Sequence, residues 1–117
     1  MATVAIKRVY DPPAKSDGRR VLVDRLWPRG LGKARAELDD WWKDLAPSPP
    51  LRIWFDHDPK RFAEFRRRYK AELKSNPQMK VAASVIGRGK VTLLYAAKDP
   101  QINHAVVLAQ ELRGLIS

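Results

Sequence analysis

The chain has 117 residues, no cysteine and a formal net charge of +10. The lack of cysteine excludes a disulfide framework, a thiolate nucleophile and a thiolate metal site. The apolar fraction of 44% is too high for a disordered chain, and the apolar runs are far shorter than the ~20 residues that cross a bilayer. The sequence opens with a strand pattern rather than a signal peptide. We therefore expect a soluble, cytoplasmic protein whose residues 1–117 form one α/β domain.

Half of the excess positive charge lies on one short segment. Residues 60–74 carry seven basic and two acidic side chains, whereas residues 1–59 carry eleven and nine. The segment has helical spacing, so these charges form a basic helix face. Such a face is either an ordinary solvated surface or a salt-sensitive binding surface for a phosphate backbone. The residues that would contact nucleic acid are Arg61, Arg67, Arg68, Lys70 and Lys74.

A short polar loop joins the first two predicted strands. Residues 3–9 alternate in strand fashion and are followed by two prolines, which cannot continue a ladder. Residues 20–23 form a second apolar run that leads directly into a charged segment. The intervening loop is too short for the helical crossover that usually joins parallel neighbours. The two strands are therefore either antiparallel or joined by an extended crossover.

The next predicted element is a helix over about residues 33–45. Apolar residues recur there at helical spacing, and a proline at position 47 ends the pattern. The stripe consists of Ala34, Leu38, Trp41, Trp42 and Leu45.

Four later helices are each predicted to begin at an N-cap residue that is followed by proline. Such pairs are typical of helix starts, because the polar side chain accepts a free backbone N–H and proline suits the first helical position. The pairs are Ser48-Pro49, Asp58-Pro59, Asn76-Pro77 and Asp99-Pro100.

A buried strand over residues 91–96 precedes the last helix, which we expect from Pro100 to about Leu115. Alternation of short apolar strands with helices favours a three-layer α/β/α fold. We predict a Rossmann-like domain with a small, largely parallel sheet of three or four strands.

Charged side chains follow both buried strands, at the sheet edge where α/β proteins bind ligands. If these strands are parallel neighbours, the two groups of side chains meet, and residues after the first strand join them if it is also parallel. Guanidinium groups and a helix N-terminus in one crevice would bind a phosphate, sulfate or carboxylate. The competing interpretation is that Asp24 pairs with an arginine to fix the loop and that Trp27 packs in the core. The candidate ligand-binding residues are Arg8, Tyr10, Arg25, Trp27, Arg29, Lys98 and Asn103.

If a reaction takes place, Asp24 or His104 would handle the proton, since imidazole is a suitable general base. The segment 56–58 (Asp-His-Asp) resembles a metal triplet, but Asp58 is already used as a cap and consecutive side chains diverge. With two histidines and no cysteine, a closed zinc site is hard to build. No dinucleotide, P-loop or nucleophile-elbow motif is present. We expect neither a metal nor a cofactor.

Several stretches resemble the YeaO-like proteins of the domain-of-unknown-function 488 family. They cover nearly the whole chain in the same order: residues 6–11, 24–30, 43–48, 54–59, 92–99 and 103–105. The resemblance implies a small bacterial or archaeal cytoplasmic protein with a layered α/β fold, and it brings no established reaction. The favoured function is binding of a small anionic ligand at the strand ends, and the alternative is a nucleic-acid-associated or regulatory protein that uses residues 60–74.

Overall fold

The computed structural model describes residues 2–116, within which there are four strands and five α-helices. The strands are β1 (Thr3–Arg8), β2 (Arg19–Leu22), β3 (Asp40–Trp41) and β4 (Lys90–Tyr95). The helices are α1 (Lys33–Ala36), α2 (Pro49–Phe55), α3 (Phe62–Lys74), α4 (Gln78–Ile86) and α5 (His104–Ile116). Single 3₁₀ turns cover Lys15–Asp17, Lys43–Leu45 and Pro59–Arg61. In this part of the chain no helix is both long and apolar enough to cross a membrane.

The four strands form one parallel sheet with the order β1-β4-β2-β3. The predicted α/β class and parallel sheet are confirmed, and β2 and β4 are neighbours, with Val21 opposite Leu93. β1 and β2 are not antiparallel. They lie on either side of β4, and an extended connection with a single 3₁₀ turn crosses between them. The carboxyl ends of all four strands therefore lie at one edge of the sheet.

The two faces of the sheet are covered differently. Residues Val21, Val23, Val91, Leu93 and Tyr95 point to one face, which packs against α2, α3, α4 and α5 in the main hydrophobic core. We call this the helical face. Leu22 and Leu94 point to the opposite face, where they pack against Trp27, Leu31, Leu38 and Trp41. This is the loop face, because mainly irregular chain covers it.

The predicted helix over residues 33–45 is wrong. α1 ends at Ala36, Glu37 adopts a left-handed conformation with φ of 48°, and the chain then pairs with β2 as β3. The buried Arg20 guanidinium captures the carbonyl oxygens of Ala36 and Glu37, at 2.8 and 3.1 Å. The Asp39 carboxylate accepts the Arg20 N–H at 2.8 Å. These contacts pull the segment onto the free edge of β2. Leu38 and Trp41 then cover the loop face, whereas Trp42 and Leu45 pack against the main core, so the predicted stripe is divided between the two faces.

All four predicted N-cap residues accept backbone N–H groups with their side chains. Only Ser48 is followed directly by its helix, because Asp58 and Asn76 first form short turns. The expected start of the last helix at Pro100 is wrong. Asp99 instead caps an open turn through the N–H groups of Gln101 and Ile102, and α5 begins at His104 after Asn103, whose side chain accepts the Val106 N–H at 3.1 Å.

A buried charge cluster on the loop face, formed by Lys7, Asp17 and Arg20, fixes the crossing connection. The Asp17 carboxylate accepts two hydrogen bonds of 3.1 Å from Lys7 and a short one from Arg20. Burial tends to raise the pKa of Asp17, but hydrogen bonds from the Ala14 N–H, Lys7 and Arg20 outweigh burial and hold the pKa below its ordinary value of 3.8. The charges of this cluster are thus satisfied within the protein.

Candidate functional site: a pocket at the strand ends

A pocket of about 530 Å³ opens where the carboxyl ends of β2 and β4 meet α2 and the start of α5. We call it the strand-end pocket. It combines charged side chains with a largely apolar wall. Its lining residues are Asp24, Arg25, Leu26, Ala46, Pro47, Arg52, Phe55, His57, Phe65, Ala96, Ala97, Lys98, Asp99, Ile102, Asn103 and His104.

Five of the sequence-predicted site residues line this pocket: Asp24, Arg25, Lys98, Asn103 and His104. They follow β2 or β4 or begin α5, so the parallel pairing of β2 with β4 brings them together. The prediction that these two strand ends share a crevice is therefore confirmed in geometry.

Four other predicted residues lie outside the lining and make structural contacts. The Arg8 guanidinium donates to the carbonyl oxygens of Ala97 and Ala96, at 2.9 and 3.3 Å, and so holds the segment that follows β4. The Tyr10 hydroxyl donates to the Arg29 carbonyl at 2.7 Å, and the Arg29 side chain itself is exposed. The Trp27 indole donates to Leu31 at 2.8 Å and packs edge-on against Trp41, on the loop face.

Asp24 and His104 form a close pair at the inner end of the pocket. His104 Nε2 lies 3.0 Å from the Val23 carbonyl oxygen and 3.1 Å from Asp24 Oδ1. Both neighbours are acceptors, so Nε2 carries a proton and Nδ1 is the ring nitrogen left for other partners. Asp24 Oδ2 accepts the Ala96 N–H at 3.1 Å. Asp24 Oδ1 is buried and has no hydrogen bond of good geometry among the described residues.

Arg25 connects the pocket to the segment before α2. One of its terminal nitrogens donates to the Ala46 and Pro47 carbonyls, at 3.3 and 3.4 Å, whereas its Nε is buried and lacks a partner among residues 2–116. Tyr69 also binds this part of the chain, because its hydroxyl donates to the Leu45 carbonyl. Burial raises the pKa of Tyr69 well above its ordinary value, so this phenol stays a donor. The wall beside Arg25 is therefore fixed.

Sequence reasoning missed Arg52 and His57, which line the pocket from α2 and the turn after it. Asp56 and His57 both have positive φ, 45° and 54°, which is unfavourable for residues other than glycine. This turn places His57 at the rim. Both histidines of the chain thus border one pocket. No spacing in the sequence links α2 to the strand ends, and tertiary contacts bring them together: α2 packs in the main core, and Arg25 holds the segment before it.

The pocket combines cationic, acidic and imidazole side chains. Three basic side chains, Arg25, Arg52 and Lys98, line the pocket. Its lining contains no hydroxyl or thiol group. Across residues 2–116 no cluster of three or more His, Cys, Asp or Glu could hold a metal ion.

The comparison with known proteins agrees with the resemblance seen in the motifs. A family model described as the inactive DUF488-N3 subclade matches residues 3–116. The chain belongs to the YeaO-like DUF488 family. It is 48% identical to the uncharacterized protein YeaO of Escherichia coli (strain K12) over 113 residues, which is 96% of this chain and 98% of that protein.

Two mycobacterial proteins are also similar to this chain. Uncharacterized proteins of Mycobacterium bovis and of Mycobacterium tuberculosis (strain H37Rv) are each 43% identical over 111 residues, which is 95% of this chain and 94% of each relative. No solved structure matches the chain significantly.

The basic helix face lies on α3 and the turn before it, and acidic residues partly neutralise it. The Glu64 carboxylate accepts hydrogen bonds from Arg67 and Arg68, and Arg61 lies 3.8 Å from Asp58. The hydrogen bonds from Arg67 and then Arg68 lower the pKa of Glu64 to about 2. Glu64 Oε2 lies 2.7 Å from Arg68 Nε and 2.6 Å from Arg67. Fewer free cations remain on this surface than the sequence predicts.

Proposed function

We propose that this protein binds a small anionic ligand in the strand-end pocket, through a carboxylate, phosphate or sulfate group, and does not convert it chemically. The convergence of Arg25, Arg52 and Lys98 from three separate chain segments carries the proposal. Guanidinium groups bind such anions with paired hydrogen bonds, and an ammonium group adds a mobile positive charge.

The three cations of the lining outnumber its two carboxylates, Asp24 and Asp99, and both carboxylates are also held by backbone donors. Asp99 accepts the N–H groups of Gln101 and Ile102, and Asp24 accepts that of Ala96. Arg52 and Lys98 are exposed at the rim, where an incoming anion would meet them first. The unpaired Arg25 Nε would be satisfied by a ligand oxygen, with a small adjustment of the side chain.

Binding without turnover is supported by the matching family model, which describes an inactive subclade. In this proposal Asp24 and His104 shape the inner wall, where His104 Nε2 lies close to the Val23 carbonyl and to Asp24. A bound ligand recovered from the protein should therefore have the mass with which it was added.

Thermal shift with inorganic phosphate, sulfate and acetate tests the proposal. Saturable binding stabilises the folded state by mass action, about 2.7 kcal/mol at a hundredfold excess over Kd. We expect at least one anion to raise Tm in the wild type, and the double variant Arg52→Gln, Lys98→Gln to lose most of that shift. The matched control is Lys33→Gln, Arg35→Gln, which removes the same charges from exposed positions outside the pocket.

If both double variants lose the same part of the Tm shift, the shift depends on net charge alone, which contradicts a specific site. If no anion shifts Tm but short DNA or RNA does, with a steep loss at higher salt, the basic helix face is the functional surface instead. The pairing of Glu64 with Arg67 and Arg68 makes that outcome the less favoured one.

A further inference from the structure

The wall of the strand-end pocket is mostly apolar, although its rim is cationic. Eight of its lining residues present only apolar side chains: Leu26, Ala46, Pro47, Phe55, Phe65, Ala96, Ala97 and Ile102. A pocket that serves only an inorganic anion needs donors on all sides, because every ligand oxygen must be hydrogen-bonded once it leaves water. This wall cannot provide them.

The apolar and the cationic residues of the lining differ in how deeply they are buried. Phe55 and Phe65 are 4% and 1% exposed and stack on each other with centroids 4.1 Å apart, whereas Arg52, Lys98 and His57 are exposed at the mouth. Arg52 and Lys98 therefore lie at the opening of the pocket, whereas its interior presents the two phenyl rings together with Arg25 and the Asp24–His104 pair. An occupant with the reverse polarity would place its anion beside the Asp24 carboxylate and its apolar body among the exposed cations of the rim.

The volume leads to the same conclusion. At about 530 Å³ the pocket lies within the ~300–1,000 Å³ range of sites that take organic ligands and bury most of their surface. A phosphate or sulfate ion alone would leave most of this space to water against an apolar wall.

We propose that the physiological ligand is an amphipathic organic anion, whose apolar body enters the pocket and whose carboxylate or phosphate group stays at the mouth beside Arg52 and Lys98. This inference rests on the proposed function and specifies its ligand class. Leu26 supports it independently, because this leucine is 62% exposed at the rim, and a bound apolar body would cover it.

Isothermal titration of the wild-type protein with a matched series of anions tests the ligand class. The series is inorganic phosphate, acetate, hexanoate and benzoate, with hexanol and benzyl alcohol as uncharged counterparts. We expect Kd to fall at least tenfold from acetate to the tighter of hexanoate and benzoate, and the alcohols to bind at least tenfold more weakly than the matching acids. The better of hexanoate and benzoate shows whether a linear or an aromatic body fits.

A rim variant tests the position of the apolar body. Leu26→Ser should weaken binding of the best organic acid about threefold or more and leave the binding of acetate unchanged. The matched control Ile53→Ser alters a leucine-sized side chain that is 70% exposed on α2 and outside the pocket lining, and should change neither. Both variants are titrated at a temperature at which the same fraction of each is folded, as determined from its Tm without ligand.

The outcomes separate the two proposals. If phosphate or acetate binds as tightly as hexanoate and benzoate, the amphipathic ligand is wrong and the anion site stands. If the alcohols bind as tightly as the acids, or if no anion binds, both proposals are wrong. If Leu26→Ser and Ile53→Ser have the same effect, the apolar body does not lie where we place it.

Discussion

Two groups of charged residues lie on this small sheet, and they differ in how completely they are paired. In the buried charge cluster, Asp17 accepts hydrogen bonds from Lys7 and Arg20, and Arg20 also donates to two carbonyl groups. In the strand-end pocket, Arg52 and Lys98 are exposed at a cavity. Charges that are satisfied internally stabilise a fold, whereas converging charges left open to a cavity are available to a ligand. The predictions below test this distinction.

The largest expected effect is on the buried charge cluster. Asp17→Asn removes the negative charge that Lys7 and Arg20 share, and Arg20 is only 4% exposed. Loss of one partner of a buried ion pair leaves an uncompensated charge, so we expect unfolding free energy to fall by about 3 kcal/mol. Urea denaturation measures it. The control Asp44→Asn lies at an exposed position and should change stability by less than about 0.5 kcal/mol.

Acid should remove the same stabilisation from the wild type. The folded-state pKa of Asp17 lies below the ordinary 3.8, so its contribution is complete above that value and is lost as pH falls through the folded-state pKa. The loss of stability in strong acid should therefore be steeper for the wild type than for Asp17→Asn. Parallel curves of Tm against pH for the two proteins would show that Asp17 is not the titrating group.

The caps and the strand ends could be predicted from sequence because they depend on local chemistry. Ser48, Asp58, Asn76 and Asp99 act through neighbouring N–H groups, and Asp24 and Lys98 lie where a short apolar run ends. The helix over residues 33–45 was wrong for a non-local reason. Its apolar spacing suits a helix equally well, but Arg20 and the open edge of β2 offer the backbone better partners.

The pocket residues on α2 and the turn after it were not predicted, for a similar reason. Arg52 and His57 reach the strand ends because α2 packs in the main core beside α3, and a single sequence contains no sign of that contact. The place of the site was therefore predictable, since strand ends meet by topology, but its full set of cations was not.

At the rim of the pocket we expect a substitution to raise the unfolding free energy, by less than Asp17→Asn lowers it. His57→Gly relieves a left-handed backbone, so unfolding free energy should rise by about 0.5 kcal/mol, after the greater flexibility of unfolded glycine is included. The variant should also weaken phosphate or acetate binding severalfold. Asp56→Gly is the matched control, because it relieves the same kind of strain outside the lining. If both variants bind equally, His57 does not contact the ligand.

The smallest expected change concerns the basic helix face. Glu64→Gln frees Arg67 and Arg68 from their shared carboxylate and should leave Tm nearly unchanged, since the three side chains are at the surface. Retention on immobilised heparin should then require slightly more salt for elution than with the wild type. Glu37→Gln adds the same net charge at an exposed position away from α3. Identical elution of the two variants would show that α3 has no special role in polyanion binding.

The central position of β4 has a consequence for how the chain reaches its fold. β1 pairs with β4, with Thr3 opposite Lys90, and β4 also fills the space between β1 and β2. During synthesis β1 therefore cannot pair with β4 until most of the protein has left the ribosome. Loops of this length must close before the sheet is complete, so folding should be slow for a protein of this size and highly cooperative. Until then the edges of β1 and β2 that later receive β4 are open to chaperones and to other chains.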